Sequence, residues 1–205
     1  HELRLKGDIP EMPIFVDSPL AINVTSAFRS HPECYDAEIR EFISGNGVQD
    51  PFGFEDLTYT RTTDQSKRIN FLREPAIIIS ASGMAETGRI LHHLKNNIED
   101  ARNTILIVGF QAEHTLGRRL VDGAKRVRIF GEEYDVRAQV EATSGLSGHA
   151  DRLGLLEWFG AYQKRPDKVF LVHGELESAT ALADGLHAEF GVSAKVPDWK
   201  QSFEV

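Results

Sequence analysis

A chain of 205 residues, 41% hydrophobic and 26% charged, holds enough apolar material for a packed core of one or two domains and does not read as disordered. A formal charge of −8 excludes a uniformly basic nucleic-acid binder but leaves room for a local basic cleft, and a single cysteine, Cys34, excludes an internal disulfide or a cysteine-rich zinc cage. No apolar run reaches the roughly 20 residues of a bilayer span, and His1-Glu2-Leu3-Arg4-Leu5-Lys6 has neither an initiator Met nor a signal-peptide pattern, so a cytoplasmic fragment without a membrane partner is expected.

In chain order, Pro13 to Asp17 is a short apolar run ending in a polar residue. With Ser18-Pro19-Leu20 and a helix from Ala21 to about Ser30 it makes a strand, turn and helix. A second helix is expected over Cys34 to Ser44, with Cys34 as a packing residue, Asp36 and Glu38 near its start and Gly45-Asn46-Gly47 at its end. Asp50 to Glu55 reads as a loop anchored by aromatic residues. Leu57 to Arg61 suits a short strand, and Thr63 to Leu72 a helix capped by Thr63 or Asp64. Ala76-Ile77-Ile78-Ile79 is the strongest strand signal, and its lack of alternation predicts cover on both faces. It runs into Ser80-Ala81-Ser82-Gly83-Met84 and a helix over Thr87 to Lys95. Thr104 to Gly109 and a helix over Leu116 to Asp122 repeat the pattern. Strands alternating with helices predict an α/β fold of parallel βαβ units, with ligands at the carboxyl ends of the strands.

The pattern changes after Gly123. Arg126 to Ile129, a turn at Gly131-Glu132-Glu133 and Tyr134 to Ala142 predict a hairpin. A helix opened by His149 and running to about Tyr162, a strand over Val169 to Val172, a helix over Glu177 to Phe190 and a short strand over Ser193 to Val196 complete the chain.

Three segments carry candidate chemistry. Small residues in Ser80-Ala81-Ser82-Gly83-Met84 let backbone approach a ligand, the N–H groups of the following helix favour an anion, and Arg89 could add a bidentate contact; an ordinary strand-to-helix turn explains the same residues. His92 and His93, adjacent on a helix, point about 100° apart and suit structural roles better than a shared metal, and His114 reads as an exposed loop residue. His149, in Ser147-Gly148-His149-Ala150-Asp151, and His173, in Val172-His173-Gly174-Glu175, each stand at a strand or helix boundary. An imidazole there could ligate zinc or act as a general acid, but two histidines are not a catalytic zinc site, and neither His-x-His-x-Asp-His nor His-Glu-x-x-His is present.

Phe15-Val16-Asp17-Ser18-Pro19-Leu20-Ala21, Ser82-Gly83-Met84 with Gly88-Arg89-Ile90-Leu91-His92-His93-Leu94, Val108-Gly109-Phe110-Gln111, and the segments around His149 and His173 together resemble the β-CASP branch of the metallo-β-lactamase superfamily. The likeness runs in the family's order over essentially the whole chain and is nearest to RNA-processing members related to the cleavage and polyadenylation specificity endonuclease. It implies a β-CASP domain over 1–140, followed over 141–205 by the returning C-terminal part of the αββα metallo-β-lactamase domain. It further implies single-stranded RNA as substrate, a two-zinc centre in the complete enzyme, His173 as a zinc ligand and His149 as the catalytic histidine at the scissile phosphate. Ser147 and Gly148 would seat that phosphate, and Ser82, Gly83 and Arg89 would face the RNA, with Asp17-Ser18-Pro19 a further lining segment. A homodimer is compatible with the resemblance. The remaining zinc ligands and the acidic residue of the first β-CASP motif have no counterpart in this sequence and would lie upstream of His1, so this polypeptide alone is expected to hold zinc poorly and cleave little. A non-catalytic RNA-binding scaffold and a DNA-processing nuclease are the alternatives.

Overall fold

In the computed structural model, which describes residues 1–143, 145–146 and 148–204, a short helix α1 (Glu2–Lys6) precedes β1 (Ile14–Asp17) and α2 (Pro19–Ser30). The strand becomes a helix at Ser18, whose hydroxyl accepts from the Ala21 N–H at 3.3 Å, while Pro19 occupies the first helical position, where a missing N–H costs nothing. A 3-10 turn (Pro32–Cys34) leads to α3 (Ala37–Asn46). That helix begins later than the sequence predicts because Asp36 takes the cap, accepting from Ile39 N–H at 2.9 Å; Cys34, left in the surface turn, is exposed and not a packing residue. The aromatics of the following loop do anchor it: Phe52 lies 5.9 Å from the Tyr35 ring and 6.0 Å from Phe28.

Next come β2 (Leu57–Tyr59), α4 (Thr63–Ile69) and β3 (Ile77–Ser80). The α4 cap is Thr62, not Thr63 or Asp64: its side chain accepts from Gln65 N–H while the Gln65 amide oxygen accepts from Thr62 N–H, a reciprocal capping box. The first sheet has the order β2-β1-β3, all parallel, with Ile14 opposite both Leu57 and Ile77. Asp17 and Ser80 therefore come out at the same carboxyl edge. Cover on both faces of β3 is not found. Ile78 is half-buried, but Ile77 and Ile79 are 40% and 52% exposed, because β3 is an edge strand of the described sheet and one of its faces is left open.

After α5 (Arg89–Asn97), β4 (Thr104–Ile107) and α6 (Leu116–Val121) come β5 (Arg126–Ile129), β6 (Glu132–Asp135) and β7 (Gln139–Ala142). The expected hairpin exists but is shorter. β5 and β6 pair antiparallel about Phe130-Gly131, and β7 leaves them to pair in parallel with β4, Thr104 opposite Gln139. The divergence follows from backbone hydrogen bonds: the N–H groups of Arg137 and Ala138 both donate to Ile98 O, and Gln139 N–H to Asn103 O at 2.9 Å. Leu94, Ile98, Leu116, Leu120, Val127 and Ile129 form the buried core of this part.

The remaining elements are α7 (Arg152–Gly160), β8 (Val169–Phe170), α8 (Leu176–Phe190) and β9 (Ala194–Lys195), with β8 and β9 parallel. α7 is capped by Asp151, which accepts from Gly154 N–H at 2.8 Å, so His149 stands two residues ahead of the cap and does not open the helix itself. Leu156, Phe159 and Leu186 make a small core, with Phe190 5.5 Å from Phe159. The chain divides into two units, His1–Leu146 and Ser147–Val205, and the pairing of β7 with β4 keeps residues through Ala142 in the first. Among the described residues no helix is long and apolar enough to cross a membrane.

Candidate functional site

The carboxyl edge of the first sheet is organised around Asp17, which is fully buried at the end of β1. Its Oδ1 accepts from Arg89 Nη1 at 2.6 Å; its Oδ2 accepts from Ser66 Oγ at 2.6 Å and faces His93 Nε2 at 2.7 Å. Arg89 also donates to the carbonyls of Thr60 (2.8 Å) and Arg61 (3.1 Å), and the other ring nitrogen of His93 meets Asn70 Oδ1 at 3.0 Å. Burial pushes the Asp17 carboxyl up, but the hydrogen bonds from Ser66, His93 and Arg89, with the charge of Arg89, outweigh it and hold the group below its ordinary range. Charge-assisted bonds this short are the strong class, and here they tie β1, α4 and the first turn of α5 into one unit. Of the candidate lining segment Asp17-Ser18-Pro19, the Asp17 side chain has no exposed surface and Ser18 is buried, whereas Pro19 is exposed. Arg89 is 16% exposed and its donors point inward, so in this arrangement it positions the start of α5.

Ser82 and Gly83 lie in the loop between β3 and α5. Ser82 N–H donates to Thr87 O at 3.2 Å and Ala85 N–H to Ser82 O at 3.2 Å, closing the loop on itself; the Ala81–Ser82 peptide is cis. Gln111, the buried last residue of the Val108-Gly109-Phe110-Gln111 segment, sets its amide nitrogen 2.9 Å from Gly83 O and 3.1 Å from Gly109 O, joining this loop to the one after β4. Gly117 N–H donates to Met84 O at 3.0 Å, and Leu116 N–H donates to the Glu86 carboxylate. Gly83 is exposed, and a Cβ built on it would meet nothing within 4 Å, which leaves its backbone open to close approach.

Gly88 is different. At φ 84 and ψ −168 it occupies a region that is essentially glycine's alone, and a Cβ there would stand 2.7 Å from Ala81 O. Gly88→Ala is expected to lower stability by about 1–3 kcal/mol, read as a fall in the urea midpoint without a change in slope. A midpoint equal to the parent's would mean that the loop is not held as described.

In the second unit, Gly148 and His149 are exposed, and Ser147 lies outside the described residues. His173 follows β8, is exposed, and has φ 69, a left-handed conformation uncommon for a residue with a Cβ and concentrated at functional sites. Zinc with catalytic roles takes three protein donors. Among the described residues no group of three or more His, Cys, Asp or Glu side chains is arranged to hold an ion, so these residues do not by themselves fit a zinc centre. The structure thus gathers Ser82, Gly83 and Arg89 at one loop and helix start, and keeps His149 and His173 on the separate second unit.

Two family models match successive parts of the chain, the second beginning at residue 133, within the first unit. A Beta-Casp domain family model matches residues 1–120, and a model described as a Zn-dependent metallo-hydrolase RNA specificity domain matches residues 133–197. Ribonuclease TTHA0252 of Thermus thermophilus is 38% identical over 175 residues, covering 85% of this chain and 39% of that protein. Transcription termination factor FttA of Pyrococcus abyssi is 34% identical over 193 residues, and that of Methanosarcina mazei 31% over 195, each covering over 90% of this chain and 30% of the relative. The chain therefore spans between 30% and 39% of the length of these relatives. With a matching model over more than half of its residues, a parallel sheet whose carboxyl edge carries the Asp17 and Ser82-Gly83 segments, and an RNA specificity segment after it, the chain belongs to the β-CASP family of the metallo-β-lactamase superfamily.

Proposed function

We propose that this chain is the RNA-recognising part of a zinc-dependent ribonuclease that hydrolyses phosphodiester bonds in single-stranded RNA, with 1–140 as the β-CASP domain and 141–205 as the returning segment of the hydrolase domain. The observation that carries the reading is the succession of a β-CASP match and an RNA specificity match along one chain whose relative from Thermus thermophilus bears the name ribonuclease. His173 serves as a ligand to one of two zinc ions, His149 works at the scissile phosphate with Ser147 and Gly148, and Ser82 and Gly83 present backbone to the RNA. Arg89 acts on RNA indirectly, by fixing the helix start from which that loop hangs. The other zinc ligands belong to a segment outside these residues.

The test compares cleavage of a labelled single-stranded RNA by the 205-residue chain and by the longer polypeptide that carries it, each with added zinc. The longer protein is expected to cut RNA in a chelator-sensitive way and to prefer it over single-stranded DNA, since the 2′-hydroxyl distinguishes the two. The chain alone is expected to cut at background and to retain less than one zinc per molecule after dialysis. Full-rate cleavage by the chain alone would sink the divided-site reading; binding of RNA without cleavage by the longer protein would make it a scaffold.

A further inference from the structure

A groove of about 650 Å³ opens beside the first turn of α5, bounded by α6 and the turn between β5 and β6. Its walls include Thr87, His92, Arg119, Arg128 and Phe130. Arg89 of the Asp17 network and Glu86 also line it, whereas Thr87, His92, Arg119, Arg128 and Phe130 stand outside that network.

Phe130 is the informative member. It sits at the first central position of a two-residue hairpin turn, with φ 51, followed by Gly131 at φ 86. Such turns favour Asn, Asp or Gly at that place, and a bulky residue there is strained. Core packing does not explain the choice, because Phe130 is 54% exposed. Its ring instead lies 4.8 Å from that of His92, inclined by 39°, so that two aromatic faces border the groove. The cations follow from strand geometry. Along β5 the buried residues are Val127 and Ile129, so Arg126 and Arg128 fall on the outer face, the face that Phe130 continues. Arg128 has only a 3.4 Å contact with Glu133, and Arg119, one of two adjacent arginines on α6, is exposed and has no ion pair among the described residues.

We infer that this groove is a subsite for a nucleotide of single-stranded RNA, with the base stacked against Phe130 and His92 and an adjoining phosphate held by Arg119 and Arg128. The inference rests on the RNA reading proposed above and adds a place on the surface of the first unit where recognition occurs away from the histidines of the second. Stacking on aromatic rings between arginines is the ordinary chemistry by which proteins hold unpaired bases, and it needs no fixed sequence. The groove's volume suits a single nucleotide.

Binding of a fluorescein-labelled single-stranded RNA of about ten nucleotides to the 205-residue chain, followed by anisotropy at several salt concentrations, tests it. Phe130→Asn is the decisive variant, because asparagine suits the turn and should leave the melting temperature unchanged or raised while the ring is lost. Its affinity is expected to fall by about five-fold to about a hundred-fold. Arg119→Gln, which removes no ion pair among the described residues, is expected to weaken binding and to reduce the slope of log affinity against log salt by about one. Parent affinity in both variants would overturn the subsite and leave the RNA reading standing. Failure of the unmodified chain to bind RNA even at low salt would overturn both. Should Phe130→Asn melt lower than the parent, Arg119→Gln decides alone, and an unchanged salt slope in that variant rejects the subsite.

Discussion

Asp17→Ala is expected to destabilise the first unit by about 3–5 kcal/mol, the cost of breaking a buried ion pair from one side. The carboxylate has no exposed surface and three side-chain partners, so its loss leaves the Arg89 guanidinium, itself 16% exposed, without its counter-charge and leaves the Ser66 hydroxyl and His93 Nε2 without this partner. The same group predicts an acid limb. Its folded value lies below the ordinary 3.8, so the folded state binds the proton less readily than the unfolded chain does. Stability from Asp17 is therefore fully present above about pH 5 and is lost as the pH falls below 3.8 through the lower folded value. Urea denaturation of the parent and of Asp17→Asn between about pH 3 and 7 should show the parent losing more stability toward acid than the variant. A loss under about 0.5 kcal/mol for Asp17→Ala at neutral pH would mean that the network is not the fastening inferred from its geometry. A double-mutant cycle with Arg89→Leu separates the pair's coupling from the cost of an orphaned charge.

That network explains much of what could and could not be read along the chain. Alternating strands and helices are local patterns, and the elements from β1 to α6 fall where apolar runs and capping residues place them. Asp17, Ser66, Arg89 and His93 are scattered over three elements, and no local spacing joins them; the signals were a polar residue closing an apolar strand and a histidine on the inner side of a helix. Gln111 closes a segment that carries the family resemblance, but its role is not legible there, since its work is to reach backbone carbonyls of two loops. The open face of β3 is not legible for another reason. An unbroken run of isoleucines says that both faces can be apolar, but exposure of Ile77 and Ile79 depends on what else packs there, which composition does not encode. The end of the β5–β6 hairpin was likewise hidden, because β7 is drawn to β4 by a partner more than thirty residues upstream.

The second large effect is expected to divide two histidines that the sequence presents in the same way. In the zinc-loaded longer protein, His149→Ala should lower kcat for single-stranded RNA by about 10²–10⁴-fold while leaving zinc content unchanged, the signature of a lost acid–base group. His173→Ala should lower zinc content together with activity, since a first donor cannot be removed without weakening the ion's hold. The local structure gives each residue a different footing. His149 is exposed two residues before the Asp151 cap of α7, in a segment where Gly148 has open space around it, as a group that must meet a phosphate requires. His173 is held at φ 69 between β8 and α8, a strained conformation that orients the residue and suits a ligand of fixed direction. Zinc measured by atomic absorption on the same preparations used for kinetics resolves the two cases. If His149→Ala loses the metal and His173→Ala keeps it, the assignments exchange. If both variants keep zinc and full activity, the chemistry lies elsewhere, and the strained backbone at His173 serves only the passage from strand to helix.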